Sequence, residues 1–255
     1  MATETTRRSP RRTEALSRTR IVEAAVELLD AAGADGLTFR VLTERLATGP
    51  GAIYWHVANK GELLDAATDA VVLAALTIDR AEPTKPAKPA EPTELANAAE
   101  SPRSPQDGIR AVALGLFDAI DQHPWLAAQL STQLSRSPSG PVAPRIFESI
   151  GRQVRALGVP EGSWFTAASA LMHYILGAAG QNAANTESAR ALGPDTDRAQ
   201  FLDTVSTAWE ALDPDDYSFT RAVADQVRGH DDRAQFLAGV DLILAGIAAL
   251  HAPVV

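Results

Sequence analysis

Apolar residues recur at intervals of three and four along most of the chain and alternate over no useful length, so pattern alone predicts an all-α protein. Ile21, Ala24, Ala25, Leu28 and Leu29 form a first helical stripe, with Gly33 placed to end it. Leu37, Thr38 and Leu42 stand where a hydrophobic staple puts N′, the N-cap and N4, so Thr38 is expected to cap a second helix that turns Val41, Leu42 and Leu46 inward. Ala47-Thr48-Gly49 reads as a glycine turn. Pro50 suits the first position of a third helix, because its missing N–H would have no partner there, and Ile53 and Val57 give that helix one narrow apolar face. Asn59 is the expected cap of a longer helix, Glu62 to Ile78, in which Leu63, Leu64, Ala67, Val71, Ala74, Ala75 and Ile78 repeat.

From Ala81 to Gln106 the pattern stops. Prolines at 83, 86, 89, 92, 102 and 105 forbid a continuous helix, and the Lys-Pro-Ala, Glu-Pro rhythm favours an extended connector over a proline-rich ligand for another protein. Helical stripes then resume. Ile109, Val112, Ala113, Leu116, Phe117 and Ile120 make one; Pro124 opens a segment with Trp125, Leu126, Gln129, Leu130 and Gln133; Ile146, Ile150, Val154 and Leu157 make a third, closed by Gly158. Pro160 begins the longest, which carries Trp164, Phe165, Ala168, Leu171, Met172, Ile175, Leu176 and Ala179. Phe201, Val205 and Trp209 mark a further helix, Phe219, Val223 and Val227 a short one, and Phe236 to Leu250 the last. The segments SALMHYILGAAG and FLAGVDLILAGIAAL carry more small and apolar surface than one side of a bundle requires. Either they fill a wholly internal core or they meet a second copy of the chain.

Composition narrows the class. The 255 residues include no cysteine, which removes disulfides, thiol chemistry and cysteine-bound metal and suits a reducing cytoplasm. No apolar run approaches eighteen residues and no h-region follows the N-terminal arginines, so neither a membrane span nor a secretory signal is expected. The net charge of −9 is unevenly spread: residues 1–60 hold nine Lys/Arg against seven Asp/Glu, a balance of +2 that leaves −11 for the rest. Arg7, Arg8, Arg11, Arg12, Arg18 and Arg20 could follow phosphates or a minor groove, or could belong to a tail that only aids solubility.

The third helix leaves Pro50, Gly51, Ala52, Tyr54, Trp55 and His56 off its apolar face. Small residues permit close approach to a major groove, ring donors and acceptors meet base edges, and hydroxyl and ammonium groups reach phosphates. A small bundle with aromatics in its core is the plainer reading, but two aromatics and a histidine in succession cannot all face inward on one helix. The DNA-contact candidates are Thr38, Arg40, Pro50, Gly51, Ala52, Tyr54, Trp55, His56 and Lys60. Lys60 sits at the positive end of the helix that follows.

These segments, LTFR, ERLATGPGAI and YWHVANKGELLDA, resemble the DNA-binding head of tetracycline-repressor-type regulators from about Ile21 to Val72. A weaker likeness to that family's ligand domain appears at HYILGA, from His173, and FLAGVDLILAG, from Phe236. The resemblance implies a dimer that reads a palindromic operator in double-stranded DNA and a body that receives a small effector. It also places Gln129 where the family's tetracycline-binding members hold magnesium through a histidine, and Gln181 where a glutamate acts on that ion through water. Both are neutral amides here, and a hard dication wants carboxylate or imidazole ligands. The effector is therefore expected to be metal-free, organic and partly aromatic, with no cofactor. The candidates for contacting it are Phe117, Trp125, Gln129, Gln133, Trp164, Met172, His173 and Gln181, with Phe147, Phe165 and Trp209 as further aromatics.

The expected organisation is an Arg-rich arm (1–18), a helix-turn-helix domain (19–62), a linking helix (63–80), a Pro-rich linker (81–106) and a helical effector-binding and dimerisation domain (107–255). The expected function is a transcriptional repressor released by its effector when the linking helix tilts. The alternative is a helical interaction protein of the same fold without effector-controlled DNA binding. No phosphate loop, GxSxG elbow or close-spaced histidine motif points to an enzyme.

Overall fold

Helix α1 (Arg18–Gly36) starts where Ser17 Oγ accepts the Arg20 N–H at 3.2 Å, and it breaks at Gly33, whose φ of 64° and ψ of −174° suit glycine alone. Thr38 Oγ1 accepts the Val41 N–H at 3.2 Å to cap α2 (Phe39–Leu46). Gly49 and Pro50 then open α3 (Pro50–Tyr54). At the start of α4 (Lys60–Thr77) Asn59 Oδ1 accepts the Glu62 N–H at 2.9 Å, and Glu62 Oε2 reaches back to accept the N–H of Ala58, the residue before the cap, at 2.8 Å. Ile21, Leu29, Leu37, Leu42, Ile53, Val57 and Leu63 are buried together as the head's core.

The computed structural model describes residues 16–77, 104–191 and 198–251, and all regular elements among them are helical. The chain divides into two compact units, Met1–Ala67 and Thr68–Val255, with the boundary inside α4. The arm before residue 16, Ile78 and residues 81–103 of the expected linker lie outside the described residues.

The second unit holds α5 (Pro105–Gln122), α6 (Trp125–Arg136), α7 (Val142–Ala156), α8 (Trp164–Ala191), α9 (Arg198–Glu210), α10 (Ser218–Arg228) and α11 (Asp232–Leu250). Helices α5, α6, α7 and α11 pack on α8. Ile109, Leu116 and Ile120 of α5, Leu126 and Leu130 of α6, Ile146, Ile150 and Val154 of α7, and Leu171 and Ile175 of α8 are fully or almost fully buried, matching the expected stripes. Helices α9 and α10 pair with each other, pinned by the buried Ser206 hydroxyl, which donates to the Ala224 carbonyl at 2.7 Å.

Several expectations are corrected. The left-handed residue of the turn between α2 and α3 is Ala47 (φ 49°), whereas Gly49 is extended and serves as N-cap. Helix α3 stops at Tyr54, so Val57 reaches the core from the turn that follows it. Pro105 belongs to α5 and not to a linker: Ser104 Oγ accepts the Asp107 N–H at 3.1 Å, which makes the proline the first helical residue. In α9 and α10 the buried faces centre on Leu202, Ser206 and Ala224, leaving Phe201 and Phe219 exposed. Finally, α11 is long and apolar enough to cross a membrane by length and composition, with only 22% of its apolar window buried. It nevertheless carries Asp241, which accepts from Arg110 Nε at 2.7 Å.

Candidate nucleic-acid interface and effector cavity

Burial of Ile53 and Val57 fixes which way the residues between them point. Trp55 is 90% exposed and Tyr54 53% exposed, with His56 partly exposed beside them in the turn that leaves α3. Tyr54 is held by a neighbour that pattern reading passed over: its ring stacks on Phe39 with centroids 4.7 Å apart and planes 10° apart. The LTFR segment contained that signal, since an aromatic just inside a helix N-terminus and partly exposed needs a surface to lie on. Thr38, Arg40, Pro50 and Gly51 are exposed as well, and Ala52 and Lys60 are partly so. Arg18 Nη2 lies 3.4 Å from Glu62 Oε1. All nine DNA-contact candidates therefore sit at the surface of the first unit.

In the second unit a cavity of about 500 Å³ opens among α5, α6, α7 and α8. Ile120, Leu130, Leu134, Met172 and Leu176 make its apolar walls, with Ala127, Pro138, Ala143 and Gly177 completing them. Its polar groups are Ser131, Ser135 and His173. The Ser135 hydroxyl already donates to the Ser131 carbonyl at 2.9 Å, which leaves the Ser131 hydroxyl and the imidazole to address a guest. No carboxylate lines it.

Of the eight effector candidates, only Met172 and His173 line this cavity. Phe117 and Gln181 line a separate cleft of about 270 Å³ with Tyr174, Asn182, His230 and Phe236, and Gln181 Nε2 there donates to Asn185 Oδ1 at 2.9 Å. Gln129 and Gln133 are absent from both, for a geometric reason. The cavity-facing positions of α6 are 127, 130, 131, 134 and 135, and 129 and 133 project from its opposite side. Trp125 is buried beside His123. Trp164 secures the turn into α8, its indole N–H donating to the Val159 carbonyl at 2.6 Å under the guanidinium of Arg155. Phe147 and Phe165 face each other with centroids 5.6 Å apart and Phe165 is 74% exposed, while Trp209 lies on α9; none of the three lines either space. Ser131 and Ser135 were missed because small hydroxyls on an apolar stripe look like ordinary helix residues, and Leu134 because a leucine there reads as core.

No group of three or more potential metal ligands gathers among the described residues. A helix-turn-helix head with its aromatic exit turned outward, followed by a helical body around a drug-sized cavity, defines a one-chain DNA-binding regulator. The model for "Bacterial regulatory proteins, tetR family" matches residues 21–67, and that for "Tetracyclin repressor-like, C-terminal domain" matches residues 100–251. The chain is 30% identical to an HTH-type transcriptional regulator of Saccharopolyspora erythraea, over 92% of this chain and 85% of that one. It is 29% identical to the HTH-type transcriptional repressor DrrR1 of Streptomyces coeruleorubidus, over 96% and 81%. Among solved structures, SCO7222, a TetR transcriptional regulator from Streptomyces coelicolor, is 67% identical and superposes with a TM-score of 0.77 over 93% of this chain and 100% of its own. The chain belongs to the tetR family of bacterial regulatory proteins. It is a ligand-responsive, DNA-binding transcriptional regulator, and members of its family act as dimers.

Proposed function

We propose that this chain represses transcription in the cytoplasm, without catalysis of its own, by holding a palindromic operator as a homodimer and releasing it when a small organic effector fills the cavity of the body. The observation that carries the reading is the pairing of a buried Ile53 and Val57 with an exposed Tyr54 and Trp55, which presents two rings at the exit of α3, behind the small residues Pro50, Gly51 and Ala52. Trp55 and His56 then read base edges, while Tyr54 and Lys60 hold phosphates, with Thr38 and Arg40 along the backbone. Two-fold pairing sets the half-sites about one helical turn apart.

Dimer formation has its support on α11. Along α11 only Phe236, Val240, Leu244 and Ile247 are buried, and Leu242, Ala245, Gly246, Ala249 and Leu250 form an exposed strip of apolar and small residues. Such a strip of small and apolar residues suits close helix approach across a two-fold axis.

The effector is a neutral, mostly apolar molecule that hydrogen-bonds to His173 and Ser131 and lies against Met172. A lining with one imidazole, two hydroxyls and no carboxylate gives a hard dication little to bind, so no metal accompanies it. The domain limits follow: a head to residue 62, a linking helix, a Pro-rich linker ending at 103, and a body from 104. The test is selection of genomic fragments by the purified protein. The account expects a few fragments sharing one inverted repeat, bound by a dimer; retention of no fragment at low salt would leave a helical interaction protein instead.

A further inference from the structure

The body-side half of α4 meets two helices that also line the cavity. Gly115 of α5 lies so close that a Cβ there would stand 2.5 Å from the Ala75 carbonyl oxygen, and Arg145 of α7 places Nη2 3.1 Å from Asp69 Oδ1. That oxygen is shielded from solvent and has no hydrogen bond, so the guanidinium is the charge that offsets its burial. Both side chains are only about one-third exposed, at 32% and 31%, where an ion pair is screened less than at an open surface.

The placement of Arg145 is informative. Ala143, two residues earlier, lines the cavity, and two positions on a helix differ by about 200°, so Ala143 and Arg145 leave α7 on opposite sides. A guest pressing on Ala143 pushes the first turn of α7 in the direction of Asp69. That turn is also lightly tethered: Pro141 stands at its N-cap with no side-chain hydrogen bond, and Pro138, in the loop before it, lines the same cavity.

We infer that Arg145 and Asp69 are positioning residues that couple the cavity to the linking helix: an effector displaces the start of α7, the pair yields, and α4, continuous from Lys60 to Thr77, releases its DNA-binding setting. This rests on the proposed repressor reading and names the route of its signal.

The test needs no identified effector, because a bulky residue in the cavity stands in for one. Operator affinity is measured for wild type, Ala143→Phe, Arg145→Ala and the double variant, using a fragment that the wild type selects. Ala143→Phe and Arg145→Ala are each expected to weaken binding about tenfold, and the double variant no more than about twofold beyond either. Ser131→Phe, a filler on α6, repeats the comparison should Ala143→Phe fold poorly. Asp69→Arg with Arg145→Asp restores affinity, and hydrogen exchange in Arg145→Ala rises at residues 69–77 while the α8 core stays protected. Multiplicative effects of filler and Arg145→Ala, or unchanged exchange in α4, would overturn the coupling role while leaving the repressor reading intact. A wild type that selects no fragment would instead remove that reading first.

Discussion

Gly33 and Ala47 both sit at positive φ, and they make opposite predictions. Gly33→Ala forces a side chain into a region open essentially to glycine and should cost about 1–3 kcal/mol in urea unfolding, although nothing lies within 4 Å of the added Cβ. Ala47→Gly relieves a left-handed alanine and should raise stability by about 0.5–1 kcal/mol. A third expectation concerns Phe39: removing its ring frees Tyr54, so Phe39→Ala should weaken binding to all operator variants alike without changing their ranking, as read by gel shift across a mutated operator set. The outward side of α3 and of the turn after it was legible in the sequence because Ile53 and Val57 fixed the inward one. The left-handed alanine was not, since Gly49 next to Pro50 offered an apparently better breaker and nothing in the local sequence separates the C-cap of one helix from the N-cap of the next, two positions on.

At the scale of elements, capping decides where helices begin. Asn59→Ala removes the acceptor for the Glu62 N–H, and a cost of about 1 kcal/mol is expected in thermal or urea unfolding. Most elements could be read from the period of apolar residues: α5 and α7 bury nearly the expected side chains, whereas of the α8 stripe Ala168, Leu171, Ile175 and Ala179 are buried, Trp164, Met172 and Leu176 are half-buried and Phe165 is exposed. Two failures share a cause: pattern identifies a stripe but does not say against what it packs. In α9 and α10 the phenylalanines drew the eye, whereas the close pairing of the two helices needs small residues such as Ser206 and Ala224 at the seam. In α6 two amides one turn apart looked like a binding face, and the cavity lies on the other side. In α5 the Ser104-Pro105 start was hidden by the prolines before it.

At the scale of the whole molecule, charge and apolar surface divide the labour. Residues 1–60 carry a net balance of +2, and the rest of the chain carries −11. Effector candidates were the least legible part, because a cavity is made by side chains from four helices distant in sequence and no local spacing records it. The apolar strip of α11 was visible, and its exposure favours the partner reading over an internal core. Leu242→Glu should therefore convert the dimer to monomers in sedimentation velocity, with loss of operator binding and retained helicity. The most direct measurement is a comparison of the sequences selected from a random DNA pool by wild type, Trp55→Ala, His56→Ala, Tyr54→Ala and Lys60→Ala. The account expects Trp55 and His56 variants to relax the preference at particular bases of each half-site. It expects Tyr54 and Lys60 variants to keep the consensus but bind more weakly, with the salt slope reduced by about one for Lys60. An unchanged consensus and affinity in the Trp55 and His56 variants would contradict it.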